Sequence, residues 1–433
     1  YERHTATLRY LLSYKWAGVQ LQSATSYQYL YDYTRMDMDA LAQPLFYVTQ
    51  QLREHGLTQE LILKNIRQAS PTGYDWSVGL FGYYDAKRSE APVHFTYEGL
   101  STIINSGLKA LKRRAPGMPD LVYIDPTRSD KSNLNSFRMP DWGVALYHES
   151  ALHLSPAWTI TGGLRLDYEH HAISYLSEGY ELGVGISGAN RPLGVAKPAH
   201  LEGTQSVGYW HLIPRLSVSW RPTDRLHAYA TITRGLKTGG FNEQSFSDLV
   251  STAQQQDLQA SLSHRGGFDP ATIPSHTTYK PEHSWSYELG MRYSQPHLGL
   301  DLSASAYLMQ VRDLQLTRFV ASGAGRMVGN AGASRTLGLE LTASKSLWSS
   351  LRAHLSYSLT DARFTEDVKT APRGNFVPFI PRHTYSVMLS LHEPIARDWR
   401  LLGEVESSGI GEVYWREDNS AKEPLQSTLR ARL

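Results

Sequence analysis

The chain has 433 residues, 41% hydrophobic and 19% charged, with 43 basic against 41 acidic side chains. A net charge near +2 offers nucleic acid no electrostatic hold, so no nucleic-acid partner is expected. The absence of cysteine excludes a disulfide-stapled module and thiolate chemistry. No stretch approaches the roughly 18 consecutive apolar residues of a transmembrane helix. A mean hydropathy of −0.39 would ordinarily read as soluble. A membrane barrel, however, alternates lipid-facing and lumen-facing side chains and averages out polar.

The N-terminal Tyr1-Glu2-Arg3-His4-Thr5 lacks the pattern of a secretory leader, so the chain reads as a mature or truncated piece, or as cytoplasmic. Length alone would suggest about three domains. No linker, charge block or low-complexity segment marks a boundary, and one continuous architecture over residues 1–433 is the simpler reading. The dominant signal has period two. Trp158, Ile160, Gly162, Leu164, Leu166 and Tyr168 alternate with Thr159, Thr161, Gly163, Arg165 and Asp167. Trp285, Tyr287, Leu289, Met291 and Tyr293 alternate with Ser286, Glu288, Gly290 and Arg292. The same holds for Leu298 to Ala306 and for Leu351 to Thr360. Successive side chains of a strand point to opposite faces, so each segment has one apolar and one polar face. The runs reach about ten residues, the length of a tilted strand that crosses a bilayer.

About fifteen such strands are expected, joined alternately by short and long connections. Short turns fall near residues 16–18, 70–73, 152–156, 221–224, 295–297, 347–349 and 393–398. Longer segments fall near 34–56, 88–138, 172–204, 235–282, 311–334, 363–382 and 410–423. Strict alternation sends every long loop to one end. This is the form of an all-β, antiparallel transmembrane β-barrel in the bacterial outer membrane. A soluble sandwich or propeller would have shorter strands and no such one-sidedness. Tyr10, Tyr14, Trp16, Tyr27, Tyr29, Tyr31, Trp220 and Trp399 gather near strand ends, as an interfacial aromatic girdle would.

Four blocks then resemble a known family. Arg234-Gly235-Leu236-Lys237-Thr238-Gly239-Gly240-Phe241-Asn242-Glu243 is similar to a strand-end signature of TonB-dependent outer-membrane receptors. So are Tyr279-Lys280-Pro281-Glu282 running into Trp285-Ser286-Tyr287-Glu288-Leu289-Gly290, and Asn330-Ala331-Gly332 before Thr336-Leu337-Gly338-Leu339-Glu340-Leu341. Gly374-Asn375-Phe376-Val377-Pro378-Phe379-Ile380-Pro381-Arg382-His383-Thr384 is the fourth. Their order matches the family over most of the chain. The wording of the loops is most similar to ferric-siderophore receptors of the Bacteroidetes. The resemblance implies an N-terminal plug domain and 22 strands, whereas nothing here resembles a plug and only about fifteen strands are expected. The first strand leads into a short turn and should be even-numbered, and Leu425–Leu433 resembles the third-from-last strand. Five strands in front and two behind would complete the count. The expectation is therefore a barrel fragment, incomplete at both ends, that could not function alone, because open sheet edges in lipid leave backbone groups unpaired.

The resemblance also gives Glu288 and Glu340 a role. Both lie on the polar parity, on strands separated by one other, and in the family glutamates at these positions pair with plug arginines. The carboxylate–guanidinium pair is a strong geometric latch. Solvated glutamates in a wet lumen would look the same by parity alone. For ligand contacts, the 88–138 loop carries Lys109, Lys112, Arg113 and Arg114, with Tyr97 and Tyr123 near. Cations among aromatics suit an anionic aromatic ligand such as a ferric catecholate. A merely solubilised loop would carry the same residues. His170, His171, His200, His264 and His276 could ligate haem iron, although the haem-receptor boxes are absent.

Enzyme signatures (His-Glu-x-x-His, Gly-x-Ser-x-Gly, Walker A, a helix-opening Gly-x-Gly-x-x-Gly) are missing, so no enzyme is expected, and neither a metal centre nor a cofactor. Iron enters only as part of a transported ligand. By resemblance the function is active uptake of a scarce ligand, with ferric siderophore leading over haem, cobalamin or oligosaccharide. The TonB–ExbB–ExbD complex would act through the plug, and outer-membrane lipid and a surface lipoprotein are further expected partners. The competitors are a passive porin and, from another class, a secreted all-β hydrolase or glycan-binding protein.

Overall fold

The computed structural model describes residues 1–37, 45–66, 72–114, 116–117, 119–125, 127–188, 192–263, 268–319, 326–368 and 371–433. Its main sheet is an antiparallel path of fifteen strands in chain order, each paired with the one before. They are β1 (Glu2–Trp16), β2 (Val19–Asp37), β3 (Phe46–Asn65), β4 (Gly73–Glu90), β5 (Lys131–His153), β6 (Trp158–Glu178), β7 (His200–Thr223) and β8 (Leu226–Lys237). There follow β9 (Glu282–Gln295), β10 (Leu300–Arg312), β11 (Ala333–Ser346), β12 (Leu351–Phe364), β13 (His383–Ala396), β14 (Trp399–Ile410) and β15 (Gln426–Arg432). The short Val93–Phe95 pairs with both β3 and β5 at the rim. The two-residue hairpin between β1 and β2 turns on Ala17 and Gly18 at φ 41° and 81°. That pair of left-handed residues is what a two-residue hairpin on right-twisted strands demands.

Register gives the tilt. Gln20, just above the lower end of β2, lies level with Lys64, and the ladder runs on through Ser77, Glu149, Gly163 and Arg215. It continues through Thr233, Ser286, Met309 and Thr336 to Ala362, close to the upper end of β12. The line climbs about ten residues over ten strand steps. With a rise of ~3.3 Å and a spacing of ~4.8 Å, that is a strand tilt of roughly 35°.

The outer face carries a lipid band. On β6 and β7, Trp158 stacks on Trp220 with ring centroids 5.8 Å apart, and Tyr168 meets Trp210 at 4.8 Å. The exposed Leu164, Leu166, Leu212 and Leu216 lie between the two aromatic levels. Ten residues at ~3.3 Å, tilted by roughly 35°, separate those levels by about 27 Å, close to the apolar band of an outer-membrane barrel. The alternation therefore points out the face as expected.

The first strands continue well beyond the upper level, and this corrects several expected loop bounds. The segment 34–56 is mostly the ends of β2 and β3, the 88–138 loop narrows to 91–130, and 172–204 narrows to 179–199. Above the lipid the outer face no longer has to be apolar, so the ladder continues through residues whose alternation has faded.

The inner face shows a second pattern. Tyr83, Tyr147, Tyr175, Tyr229 and Tyr307 each lie directly opposite a glycine: Gly143, Gly79, Gly203, Gly290 and Gly338 respectively. A Cβ on any of these glycines would collide with the facing ring. Lumenal Tyr–Gly pairs thus account for part of the tyrosine and glycine content that the girdle alone would not. Among the described residues, β1 pairs only with β2 and β15 only with β14, so the sheet has two free edges. All fifteen residues of β1 are exposed.

Candidate functional site at the mouth and inner wall

The long connections fold into structure. α1 (Tyr97–Arg114) lies in the 91–130 loop, packed on strands Leu121–Tyr123 and Leu182–Ile186. Leu100, Tyr123, Leu182 and Val184 form the buried centre, with Ile104 and Leu108 against it. The Asn105 side chain accepts the Tyr123 N–H at 2.7 Å. The spacing Leu100, Ile104, Leu108 is a helical stripe, and it was available in the sequence as the sign of a helix in this loop.

The expected loop cations separate on this helix. Lys112 pairs with Asp120 at 2.6 Å, whereas Lys109 and Arg113 point to solvent. Arg114 closes the helix. Tyr97 and Tyr123 meet at 6.2 Å, but Tyr123 belongs to the loop core and is 6% exposed. Burial, followed by the charge of Asp125, pushes its hydroxyl pKa up. Among the described side chains, Lys109, Lys112 and Arg113 do not interleave with these tyrosines, whose rings pack against the loop core. Cation–aromatic contacts occur elsewhere near the rim, at Arg35 and Arg363 on the outward parity of the strands. Arg35 lies over Tyr47 at 4.1 Å, and Arg363 and Arg382 lie over Phe376 at 4.0 and 4.7 Å, with Tyr414 stacked on that ring at 5.1 Å. Nearby Glu412 receives Lys422 at 2.5 Å and Arg382 at 3.6 Å. The Lys422 ammonium, more than Arg382, holds its carboxyl below the usual range.

The loop after β8 turns inward. Its helix α2 (Ser245–Ser263) presses Phe246, Leu249, Val250 and Ala253 onto the lumenal Phe137, Met139, Ile173, Tyr175 and Leu201 of β5, β6 and β7. Phe246 is fully buried between Phe137 at 5.2 Å and Tyr175 at 4.4 Å. Polar ties anchor the same loop around the mouth: Gln50 to Glu243 at 3.2 Å, Lys87 to Glu243 at 3.4 Å, and Asn242 to the Val328 carbonyl at 2.8 Å. This internal cap was not anticipated, although Phe246, Leu249, Val250 and Ala253 carry helical spacing. Below it, Thr238 donates to Glu169 at 2.6 Å, and His171 lies 3.2 Å from Asp141.

The histidines do not converge. His170 faces outward against Trp142 at 5.6 Å, and its neighbour His171 is buried inside, as adjacent residues of one strand must be. His200 is exposed beside Glu178 and Glu202, and His276 lies on the short helix Ile273–Thr277. His264 falls outside the described residues. No group of three metal-ligating side chains is present among the described residues.

Glu288 and Glu340 both face the lumen, on β9 and β11 with β10 between. Glu288 is level with Tyr307 and Glu340 with Ser305, so their Cα atoms are about 12 Å apart. Glu288 accepts a hydrogen bond from the Tyr229 hydroxyl. Glu340 is exposed and accepts one from Ser305 at 3.4 Å. Among the described residues neither has a cationic partner, and each keeps acceptor capacity turned inward.

Tilted strands, a lipid band between aromatic levels, and structured loops at one end define an outer-membrane β-barrel with a folded mouth. The chain belongs to the TonB-dependent receptor family: the model described as "TonB dependent receptor-like, beta-barrel" matches residues 1–430. It is similar in fold to the ferric yersiniabactin uptake receptor FyuA of Yersinia pestis, at 18% identity and a TM-score of 0.68 over 99% of this chain and 53% of that one. The siderophore receptor PiuA of Acinetobacter baumannii gives 12% identity and a TM-score of 0.63 over 99% and 57%. The copper transporter OprC gives 14% and 0.62 over 99% and 56%. The chain thus spans little more than half the length of these structures. The family consists of outer-membrane transporters, not enzymes.

Proposed function

We propose that this chain is the barrel portion of an active outer-membrane importer of ferric siderophores. The observation that carries the reading is the family match over nearly the whole chain. The described histidines do not converge on a haem iron, which favours the chelate. The ferric yersiniabactin receptor and the siderophore receptor among the similar folds are in keeping with this choice.

In this reading the two free edges of β1 and β15 join further strands, which satisfy backbone groups that lipid cannot. A plug fills the lumen, and Glu288 and Glu340 accept its arginines. Energy arrives through the plug from the TonB–ExbB–ExbD complex. The barrel makes and breaks no bond in its cargo. Growth of a deletion strain on single iron sources tests the assignment. Loss of growth on a ferric catecholate, restored by the complete gene and not bypassed except by haem or free iron, is the expected result. Unchanged growth on every chelate, with loss on haem alone, would overturn it.

A further inference from the structure

The outer face carries a feature that uptake does not use. On the lipid-facing parity of three successive strands, Arg53 lies directly opposite Arg88, and Arg88 directly opposite Arg138. Tyr31 flanks the row on one side and Ser174 on the other. All three arginines are exposed. Directly opposite side chains on a sheet have Cβ atoms about 5 Å apart, and like charges at that distance repel. One carboxylate relieves the row: Glu90 meets Arg88 at 3.1 Å. Arg53 leans on the Tyr31 ring at 5.9 Å, and no carboxylate lies within ion-pair distance of Arg138 among the described residues.

The height of the row is informative. Four residues lower on the same strands the outward positions are Leu57, Tyr84 and Trp142, all exposed and level with one another. Four residues at ~3.3 Å, tilted by roughly 35°, put the arginine Cα atoms about 11 Å above that apolar line. Long guanidinium stems reach down from there into a headgroup layer that is about 5–8 Å thick. The row spans two strand steps, about 10 Å. Planar guanidiniums bind phosphate oxygens in pairs, and three abreast offer more positive charge than Glu90 can neutralise.

We propose that Arg53, Arg88 and Arg138 form a binding site on the outside of the barrel for a phosphate-bearing lipid headgroup of the outer leaflet, whose acyl chains lie along Leu57, Tyr84 and Trp142. Charge complementarity and the position just above the lipid band select this occupant. A free anion would have no use for the apolar strip below.

The test uses the complete receptor in a neutral detergent, freed of lipid. Native mass spectrometry and thermal unfolding follow titration with a bisphosphorylated glucosamine-disaccharide lipid, with the same lipid dephosphorylated, and with inorganic phosphate. The intact lipid should bind and raise the unfolding temperature, and the dephosphorylated lipid should bind at least about tenfold more weakly. The triple variant Arg53→Gln, Arg88→Gln, Arg138→Gln should lose that preference, and raised salt should weaken it in the unmodified protein. Equal binding of the two lipids, or displacement of the intact lipid by inorganic phosphate, would overturn the proposal. The comparison of lipids needs no variant, so a misfolded triple variant leaves it decisive.

Discussion

The ring of Tyr229 lies across Gly290, its direct partner on the next strand, and this places the phenol where its hydroxyl donates to Glu288. The glycine is required by the close approach and not by its backbone angle. Tyr307 and Gly338, one strand pair further on, repeat the arrangement beside Glu340. The two motif glutamates therefore each have a tyrosine-covered glycine two residues away on their own strand.

Gly290→Ala should displace the Tyr229 ring and cost about 1–3 kcal/mol, the usual penalty of overpacking. A lower unfolding temperature in detergent is the expected readout. Adding Tyr229→Ala should recover part of the loss, because the colliding ring is gone. Strictly additive losses in the two single variants and the double would show that ring and glycine do not interact.

Removing the carboxylates tests the latch itself. In the complete receptor, Glu288→Ala and Glu340→Ala should each loosen the plug while the barrel still assembles. A charge-assisted hydrogen bond contributes about 1.5–3 kcal/mol, so plug amide protection should fall by about tenfold or more. Tyr229→Phe should have a smaller effect of the same sign, since it orients Glu288 without replacing its charge. Plug protection that is the same in all three variants would refute the assignment.

Much of this was legible in the sequence, and the reasons are physical. Leu164 and Leu166 must meet lipid, so the period-two signal and the membrane class were plain between Trp158 and Tyr168. The inward direction of Glu288 and Glu340 followed from parity. Above the lipid, outward residues such as Arg138 and Ser174 carry no such constraint, and the upper ends of the strands read as loop. The loop helices were hidden for another reason: Leu100 to Leu108 and Phe246 to Ala253 carry a 3.6-residue period inside long connections of a chain whose dominant period is two. Tyr123 shows the cost, since an aromatic expected to meet ligand is instead needed to pack the helix.

The inward cap rests on one side chain more than any other. Phe246→Ala removes a fully buried ring from between Phe137 and Tyr175, a change that typically costs about 3–5 kcal/mol. Because α2 is joined to the wall by this cluster and by a few polar ties, the loss should appear as local opening. Amide exchange across residues 245–257 should rise while β5 and β6 within the lipid band stay protected. Equal deprotection of the band would mean that the cap and barrel form one cooperative unit.

Acid should loosen the α1 loop through Asp125. Its side chain, 7% exposed, takes Lys131 at 3.0 Å on one oxygen and the Thr127 hydroxyl at 2.7 Å and N–H at 3.0 Å on the other. Burial alone would raise its pKa, but these donors outweigh it and hold the carboxyl below the ordinary 3.8. A depressed folded value means that the contribution is complete above 3.8 and is lost as pH falls through the folded pKa. Exchange at residues 121–128, corrected for intrinsic rates, should thus stay flat from neutrality to about pH 4.5 and rise at lower pH. Asp125→Asn should show the fast exchange already at neutral pH and little further change in acid. Matching acid profiles in the variant and the unmodified protein would assign the loosening to other carboxylates.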